Sequence, residues 1–237
     1  MLAQADAIAG YASYLDLIRP LIGDRETISS GMTREVQRVE AAIERVLEGC
    51  EVALISSGDA GIYAMAGLVL EMCAVRGIDV VPASSKGQGA LQIEVVPGIP
   101  ALCAGAALLG APLTHDFAAV SLSDLLTPWE TIEGRIEAAA RADFVIVIYN
   151  PKSKRRDWQL KRAQEIIRQH RDDTTPVGVV TAAMRPGERI HITTLARLHT
   201  ETVDMQTTVF VGNSTTRTVG DFMYTPRGYG KKYAIEG

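Results

Sequence analysis

A glycine-rich turn after a short apolar segment is the feature of this sequence with the clearest potential for chemistry. Residues 52–55 (Val-Ala-Leu-Ile) have the composition of a strand, residues 56–61 (Ser-Ser-Gly-Asp-Ala-Gly) form the turn, and residues 64–70 have a helical pattern. Such a strand, turn and helix start place backbone N–H groups in a concave nest that binds polar ligands. Gly58 and Gly61 let a ligand approach the backbone because they carry no Cβ. An ordinary βα turn fits the same pattern, so this turn alone leaves both interpretations open.

Three more turns of small and polar residues come after predicted strands. They are residues 97–100 (Pro-Gly-Ile-Pro), 149–151 (Tyr-Asn-Pro) and 181–183 (Thr-Ala-Ala). Residues of this kind at the carboxyl ends of strands form the crevice in which α/β sheets bind a polar cofactor. The Asp59 carboxylate is a candidate partner for a cationic or hydroxyl-bearing group there, although capping the next helix would suit it equally.

Charged residues define two further candidate sites. Four cations follow Pro151: Lys152, Lys154, Arg155 and Arg156. In a protein of net charge −4 they indicate an anionic substrate, because the helix macrodipole disfavours cations at a helix N-terminus; a solvated helix start is the alternative. His115 and Asp116 form a candidate acid/base pair, although neighbours on an extended chain point to opposite sides.

No metal site or disulfide framework is expected. The three other histidines have no partner at metal-ligand spacing, and the three cysteines are widely separated without a C-x-x-C pair. Free cysteines of this kind fit a reducing cytoplasm.

The predicted elements alternate between strands and helices, which defines an α/β protein with a largely parallel sheet. The chain is expected to open with helices over residues 3–9 and 14–21, with no strand before them. Residues 110–114 resemble a domain link. We therefore expect an N-terminal α/β domain over residues 1–113 and a C-terminal α/β domain over residues 114–237.

Composition narrows the functional class. The 237 residues are 47% hydrophobic and 22% charged, which is typical of a soluble globular protein. The negative net charge argues against a nucleic-acid-binding surface over the whole molecule. No apolar run approaches the roughly 20 residues of a membrane span, and the first residues lack the basic region of a signal peptide. A cytoplasmic protein that acts on a small molecule is expected.

Several stretches together resemble the tetrapyrrole methylases that use S-adenosylmethionine. Two are shared by that family at large: residues 57–66 (Ser-Gly-Asp-Ala-Gly-Ile-Tyr-Ala-Met-Ala) and 96–101 (Val-Pro-Gly-Ile-Pro-Ala). Others resemble the precorrin-3B C17-methyltransferases of cobalamin biosynthesis in particular. These are residues 110–117, 121–124, 127–130, 149–160 and 224–227.

The resemblance implies two α/β domains with S-adenosylmethionine in the cleft between them, usually in a homodimer. Carried over by motif, the cofactor-binding residues would be Ser57, Gly58, Asp59, Ile62, Pro100, Ala101, Tyr149, Asn150, Thr181 and Ala182. The family more often has Pro at position 60 and Thr at position 100. It also begins with a strand and a Gly-x-Gly-Pro-Gly-Asp loop, whereas Met1 here enters roughly where the following helix would begin. We therefore expect the first strand of the family sheet to be missing.

The implied activity is methyl transfer to C17 of precorrin-3B or cobalt-factor III, with ring contraction. The substrate's carboxylates would meet the four cations after Pro151, and His115, Asp116 and Asp124 are the candidates for proton transfer. Two alternatives remain: methylation of a different ring carbon, or tetrapyrrole or nucleotide binding without catalysis because the first strand is missing. The sequence does not decide whether the substrate carries cobalt.

Overall fold

The computed structural model describes residues 2–31, 33–85, 89–153 and 156–233, and it divides into two compact units. The first unit covers Met1–Pro100 and the second Ala101–Gly237. Residues 101–113 are thus grouped with the second unit, and a functional domain boundary at residue 113 stays a prediction.

The first unit is built from short parallel strands and helices. Its strands are β1 (Ala7–Tyr11), β2 (Glu26–Ser30), β3 (Val52–Leu54), β4 (Val80–Pro82) and β5 (Leu91–Ile93). Its helices are α1 (Ala12–Leu17), α2 (Arg19–Ile22), α3 (Glu35–Leu47) and α4 (Met65–Val75). Three strands form one parallel sheet in the order β2-β1-β3, and β4 pairs in parallel with β5.

The predicted helix over residues 3–9 is wrong, because residues 7–11 form the central strand of the three-stranded sheet. Ala7 pairs with Glu26 on one side and with Val52 on the other. Ala7, Ile8 and Ala9 are completely buried. Alanine favours helices in isolation, but burial on both faces of a parallel sheet overrides that preference. β1 ends at Tyr11 and α1 begins at Ala12, so the expectation that no strand precedes the first helices is wrong, while the absence of the first strand and glycine–proline loop that the resemblance implies stays a prediction.

The second unit contains the larger sheet. Its strands are β6 (Gly110–Ala111), β7 (Phe117–Ser121), β8 (Val145–Tyr149), β9 (Pro176–Thr181), β10 (Arg189–Thr194), β11 (Thr207–Val211), β12 (Arg217–Val219) and β13 (Phe222–Tyr224). Its helices are α5 (Ala101–Leu109), α6 (Trp129–Arg141), α7 (Gln159–Ile167), a 3-10 helix (Leu195–Thr200) and α8 (Tyr229–Tyr233).

Five strands of this unit form a mixed sheet in the order β10-β9-β11-β8-β7. Only β7 and β8 are parallel neighbours, and β11 is antiparallel to both β8 and β9. The expectation of a largely parallel sheet is therefore wrong for this unit. Because β8 and β9 both oppose β11, they run in the same direction, and β7, β8 and β9 end at one edge of the sheet. We call this edge, marked by Ser121, Tyr149 and Thr181, the carboxyl edge.

Alternating side chains pack the two faces of the large sheet. Ile146 and Ile148 lie in a core formed with α6, α7 and the 3-10 helix, whereas Val147 lies in a second core with α5 and β13. β11 alternates in the same way, since Val209 and Val211 join the first core and Phe210 the second. Burial on both faces fixes the register of these strands and hence the positions of the residues at their ends.

Candidate functional site

The glycine turn of the first unit joins β3 to α4, as the sequence predicts. Gly58 has a φ of +75° and Tyr63 a φ of +51°, so the chain bends twice through the left-handed region. The N–H of Ala66 donates to the carbonyl of Ala60 at 3.0 Å, and α4 begins at Met65. Gly58, Gly61 and Ile62 are exposed, so the backbone of this turn is accessible.

The Asp59 carboxylate connects this turn to residues 97–100, the second predicted cofactor turn. Its Oδ1 accepts the N–H of Gly61 at 2.8 Å, and its Oδ2 accepts the N–H of Gly98 at 2.9 Å. It does not cap α4. The N-cap position of that helix is Ala64, and no side-chain capping hydrogen bond is present there. Each oxygen therefore accepts one backbone amide, and a contact of Asp59 with a cationic or hydroxyl-bearing group of the cofactor stays a prediction.

Backbone contact between the two turns excludes a side chain at Gly98. A Cβ on Gly98 would lie 2.0 Å from the carbonyl oxygen of Gly58 and 3.0 Å from its carbon. Since neither atom belongs to a flexible side chain, the turns could accept a Cβ only by moving apart. The two predicted cofactor turns of this unit thus lie in direct backbone contact.

The hydrogen bonds to Asp59 predict a pH-dependent stability. The amides of Gly98 and then Gly61 lower the pKa of Asp59 below its ordinary value of 3.8, because they stabilise the charged form. A carboxylate whose pKa is lower in the folded protein contributes stability above its unfolded pKa and loses it as the pH falls through the folded pKa.

Asp59→Asn is therefore expected to lower the free energy of unfolding at about pH 7, with a smaller difference from the wild type at about pH 3. Urea unfolding of both proteins at the two pH values measures this. An equal difference at both would contradict the assignment of the two amide bonds to the charged carboxylate.

The carboxyl edge of the second unit gathers another group of the predicted cofactor residues. β8 ends at Tyr149, which Asn150 follows, and β9 ends at Thr181, which Ala182 follows. Asn150 and Ala182 each have a φ of +51°. For Ala182 this conformation has no local hydrogen-bonding benefit from the side chain, and such strained residues concentrate at functional sites.

Hydrogen bonds hold this edge in place. The Tyr149 hydroxyl accepts the N–H of Leu102 at 2.9 Å, which places the start of α5, and therefore Ala101, beside the end of β8. The Thr181 and Thr207 hydroxyls lie 2.8 Å apart in the buried interior. The end of β8 is thereby joined to the start of α5, and the end of β9 to the start of β11.

Arg156 lies inside the protein, whereas the sequence placed it among four cations that would either meet an anionic substrate or form a solvated helix start. It is 7% exposed, and its Nη1 donates to the carbonyl of Asn150 at 2.5 Å. Burial away from water lowers its pKa, and Asp124 partly offsets that effect. Lys152 is exposed, and Lys154 and Arg155 lie outside the described residues.

Replacing Arg156 should lower the free energy of unfolding more than replacing Lys152 does. Arg156→Gln leaves the Asn150 carbonyl without its charged donor and is expected to lower the free energy of unfolding by about 1–3 kcal/mol. Lys152→Gln, at an exposed position, should change it by less than about 0.5 kcal/mol. Urea unfolding of the two variants measures both values, and equal losses would contradict the distinction.

The three acid/base candidates are divided between opposite ends of β7. His115 Nδ1 accepts the Asp116 N–H at 2.8 Å and lies 3.6 Å from Asp116 Oδ2, so these two neighbours do meet. Both precede β7, where the Asp116 carbonyl accepts the N–H of Val145. Asp124 comes after β7, at the carboxyl edge. A five-residue strand is about 16 Å long, so the pair and Asp124 cannot act on one atom.

Two polar residues that the sequence did not single out as functional lie near the carboxyl edge: Gln159, which contacts Asp124, and Ser121, which contacts Asn150. Gln159 Nε2 donates to Asp124 Oδ2 at 2.8 Å, and the Asn150 amide donates to the Ser121 hydroxyl at 2.9 Å. Ser121 and Gln159 belong to the motif stretches 121–124 and 149–160. The sequence did offer one signal for Gln159. It is a polar residue directly before the buried stripe of α7, which begins with Leu160 and Ala163.

The described parts of the chain contain no group of three or more His, Cys, Asp or Glu side chains arranged to hold a metal ion. Within the same residues, no helix is both long and apolar enough to cross a membrane.

The fold and these turns belong to a known class. The family of Tetrapyrrole (Corrin/Porphyrin) Methylases matches residues 1–199, and the chain is a member of that family. The predicted family is thereby confirmed. Among solved structures, that of the methyltransferase CobJ matches with a TM-score of 0.85 and 38% identity, over 95% of this chain and 90% of that one. This confirms the predicted α/β fold.

Similar proteins point to one branch of the family. The chain is 48% identical over 228 residues to a probable cobalt-factor III C(17)-methyltransferase of Salmonella typhimurium, covering 96% of this chain and 90% of that protein. It is 48% identical over 232 residues to the cobalt-factor III methyltransferase of Priestia megaterium, covering 98% of this chain but only 42% of that protein. A precorrin-3B C(17)-methyltransferase of Sinorhizobium is 41% identical over 232 residues, with coverage of 96% and 88%.

Proposed function

We propose that this chain methylates C17 of a tetrapyrrole from S-adenosylmethionine, with ring contraction, in cobalamin biosynthesis. The observation that carries the proposal is the 48% identity to the Salmonella typhimurium protein over 90% of that protein's length. The motif stretches that single out this branch of the family in the sequence lead to the same conclusion. The broader assignment as a methyltransferase rests on membership of the tetrapyrrole methylase family.

Cobalt-factor III is the substrate that the relatives favour. Both relatives at 48% identity carry that name, whereas the precorrin-3B enzyme is 41% identical. We infer that the tetrapyrrole carries cobalt, and that precorrin-3B without the metal is the poorer substrate.

The turn geometry suits the donor-binding role that the family implies. Because Asp59 is occupied by two amides and Gly98 leaves no room for a Cβ, residues 57–62 present backbone rather than a charged side chain. Ser57, Gly58, Asp59 and Ile62 remain the proposed donor-binding residues of the first unit. The proposed donor-binding residues of the second unit remain Ala101, Tyr149, Asn150, Thr181 and Ala182. Pro100, the last residue of the first unit, also remains proposed.

The sulfonium of S-adenosylmethionine supplies a methyl group that needs no further activation as an electrophile. The work left to the protein is to align the donor with the ring carbon, which can supply several kcal/mol of the barrier. Exposed Lys152, with Lys154 and Arg155, remains proposed to contact the substrate's carboxylates. Asp124 is the proposed proton-transfer group at the carboxyl edge. A homodimer and a cytoplasmic location are likewise proposed.

Product analysis tests the function directly. The protein is incubated with S-adenosylmethionine labelled with carbon-13 in its methyl group and with either cobalt-factor III or precorrin-3B. We expect one labelled methyl group at C17 of a ring-contracted product, identified by mass and NMR, and faster turnover of the cobalt-containing substrate. Gly98→Ala should abolish turnover, while Gly67→Ala, which meets nothing within 4 Å, should retain it.

Other outcomes identify the rival functions. A labelled methyl group at a different carbon would indicate another tetrapyrrole methylase activity. Calorimetric binding of either ligand without product would indicate a binding protein. Either result would overturn the proposal.

A further inference from the structure

Three polar side chains from separate segments meet beside the carboxyl edge. Asp124 comes after β7, Arg156 precedes α7, and Gln159 is the first residue of α7. Gln159 Nε2 lies 2.8 Å from Asp124 Oδ2, and Arg156 Nε lies 3.9 Å from Asp124 Oδ1. Gln159 is 2% exposed and Arg156 7%, whereas the Asp124 side chain is 35% exposed. The donor Gln159 and the cation Arg156 are thus buried, whereas the Asp124 carboxylate, hydrogen-bonded to the first and ion-paired with the second, is partly exposed.

This arrangement is costly for a purely structural contact. Burial of a guanidinium group is unfavourable unless its hydrogen bonds compensate, and an exposed ion pair would avoid that cost. Gln159 Oε1 is also buried and has no hydrogen-bond partner among the residues that the structure describes. The side-chain amide leaves this oxygen unpaired while its N–H group faces Asp124. Both of these buried groups lie beside one partly exposed carboxylate, Asp124.

The same guanidinium also holds the end of β8. Arg156 Nη1 donates to the Asn150 carbonyl at 2.5 Å, and Asn150 is one of the residues with a left-handed backbone. Its side-chain amide bonds to Ser121, at the end of β7. Asp124 is therefore oriented by the groups that shape the edge where the donor or substrate is proposed to bind.

We propose that Gln159 and Arg156 are positioning residues, which orient the partly exposed Asp124 carboxylate to accept a proton from the tetrapyrrole. The proton moves from the substrate to Asp124, and the electron pair of the broken bond stays on the substrate. This inference rests on the proposed function. His115 and Asp116, at the opposite end of β7, have no part in this step.

A double-mutant cycle between Asp124 and Gln159 tests the proposal. Asp124→Asn should lower kcat about 100-fold, as expected for the loss of a general base, with unchanged calorimetric affinity for S-adenosylmethionine. Gln159→Met, which removes the donor at nearly constant volume, should lower kcat about tenfold with little change in KM. The double variant should be no slower than Asp124→Asn alone, because Gln159 acts through that carboxylate.

Gln164→Met is the matched control. Gln164 is a second glutamine of α7, 3% exposed, whose amide donates to the carbonyls of Leu195 and Ala196, away from Asp124. The control should lose stability in urea and keep wild-type kcat. Arg156→Lys should lower kcat in the same direction as Gln159→Met. Additive kcat losses at positions 124 and 159, or an equal kcat loss in Gln164→Met, would overturn the positioning role.

Urea unfolding of the wild type, the two single variants and the double variant at positions 124 and 159 separates this inference from the proposed function. Non-additive shifts of the urea midpoint at positions 124 and 159 would show the contact even without turnover. If the wild type then forms no C17-methylated product, the proposed function and the proton-transfer role both fail while the contact stands. If the product forms but the kcat losses are additive, only the inference about Gln159 and Arg156 fails.

Discussion

The backbone contact between the turns at Gly58 and Gly98 is the constraint on which the first unit depends. The Asp59 carboxylate bonds to one amide in each turn, and Gly98 has no space for even a methyl group. These features explain why the sequence needs glycine and aspartate there: the carboxylate holds the turns together and glycine permits their approach. A surface made of backbone is suited to a ligand recognised by shape and hydrogen bonding.

In the second unit, the candidate site is held in place by packing of the sheet rather than by contact between two turns. Its central strands are buried on both faces, so that their ends are fixed by packing. Asn150 and Ala182, the residues that directly follow two of these strands, have a left-handed backbone conformation. Retaining that strain in a well-packed region costs stability that a purely structural turn would not require, which agrees with a functional role for the carboxyl edge.

The sequence was most informative where a motif and a periodic pattern coincided. The turn before α4 and the strands β8, β9 and β11 were predicted because short apolar runs ended in glycine, proline or small polar residues. The helix over residues 3–9 failed because alanines have no side chain whose spacing distinguishes a buried strand from a helix. The mixed direction of the large sheet could not be predicted either, since strand direction depends on pairings distant in sequence.

Side-chain environments were harder to predict than elements. Four cations close together in sequence were equivalent by composition, yet Arg156 turns inward to the Asn150 carbonyl while Lys152 is exposed. His115, Asp116 and Asp124 are close in sequence, but the strand between them separates them by its length. In each case the outcome depends on where the chain turns after a strand, which local sequence does not specify.

The central claim is that the backbone turn at residues 57–62 holds the methyl donor. Titration of protein labelled with nitrogen-15 with S-adenosylhomocysteine, followed through the amide resonances, tests it most directly. Saturable shifts at residues 57–62 and at Gly98 are predicted. Saturable binding that leaves these amides unchanged and shifts only those of the edge strand β10 would contradict it.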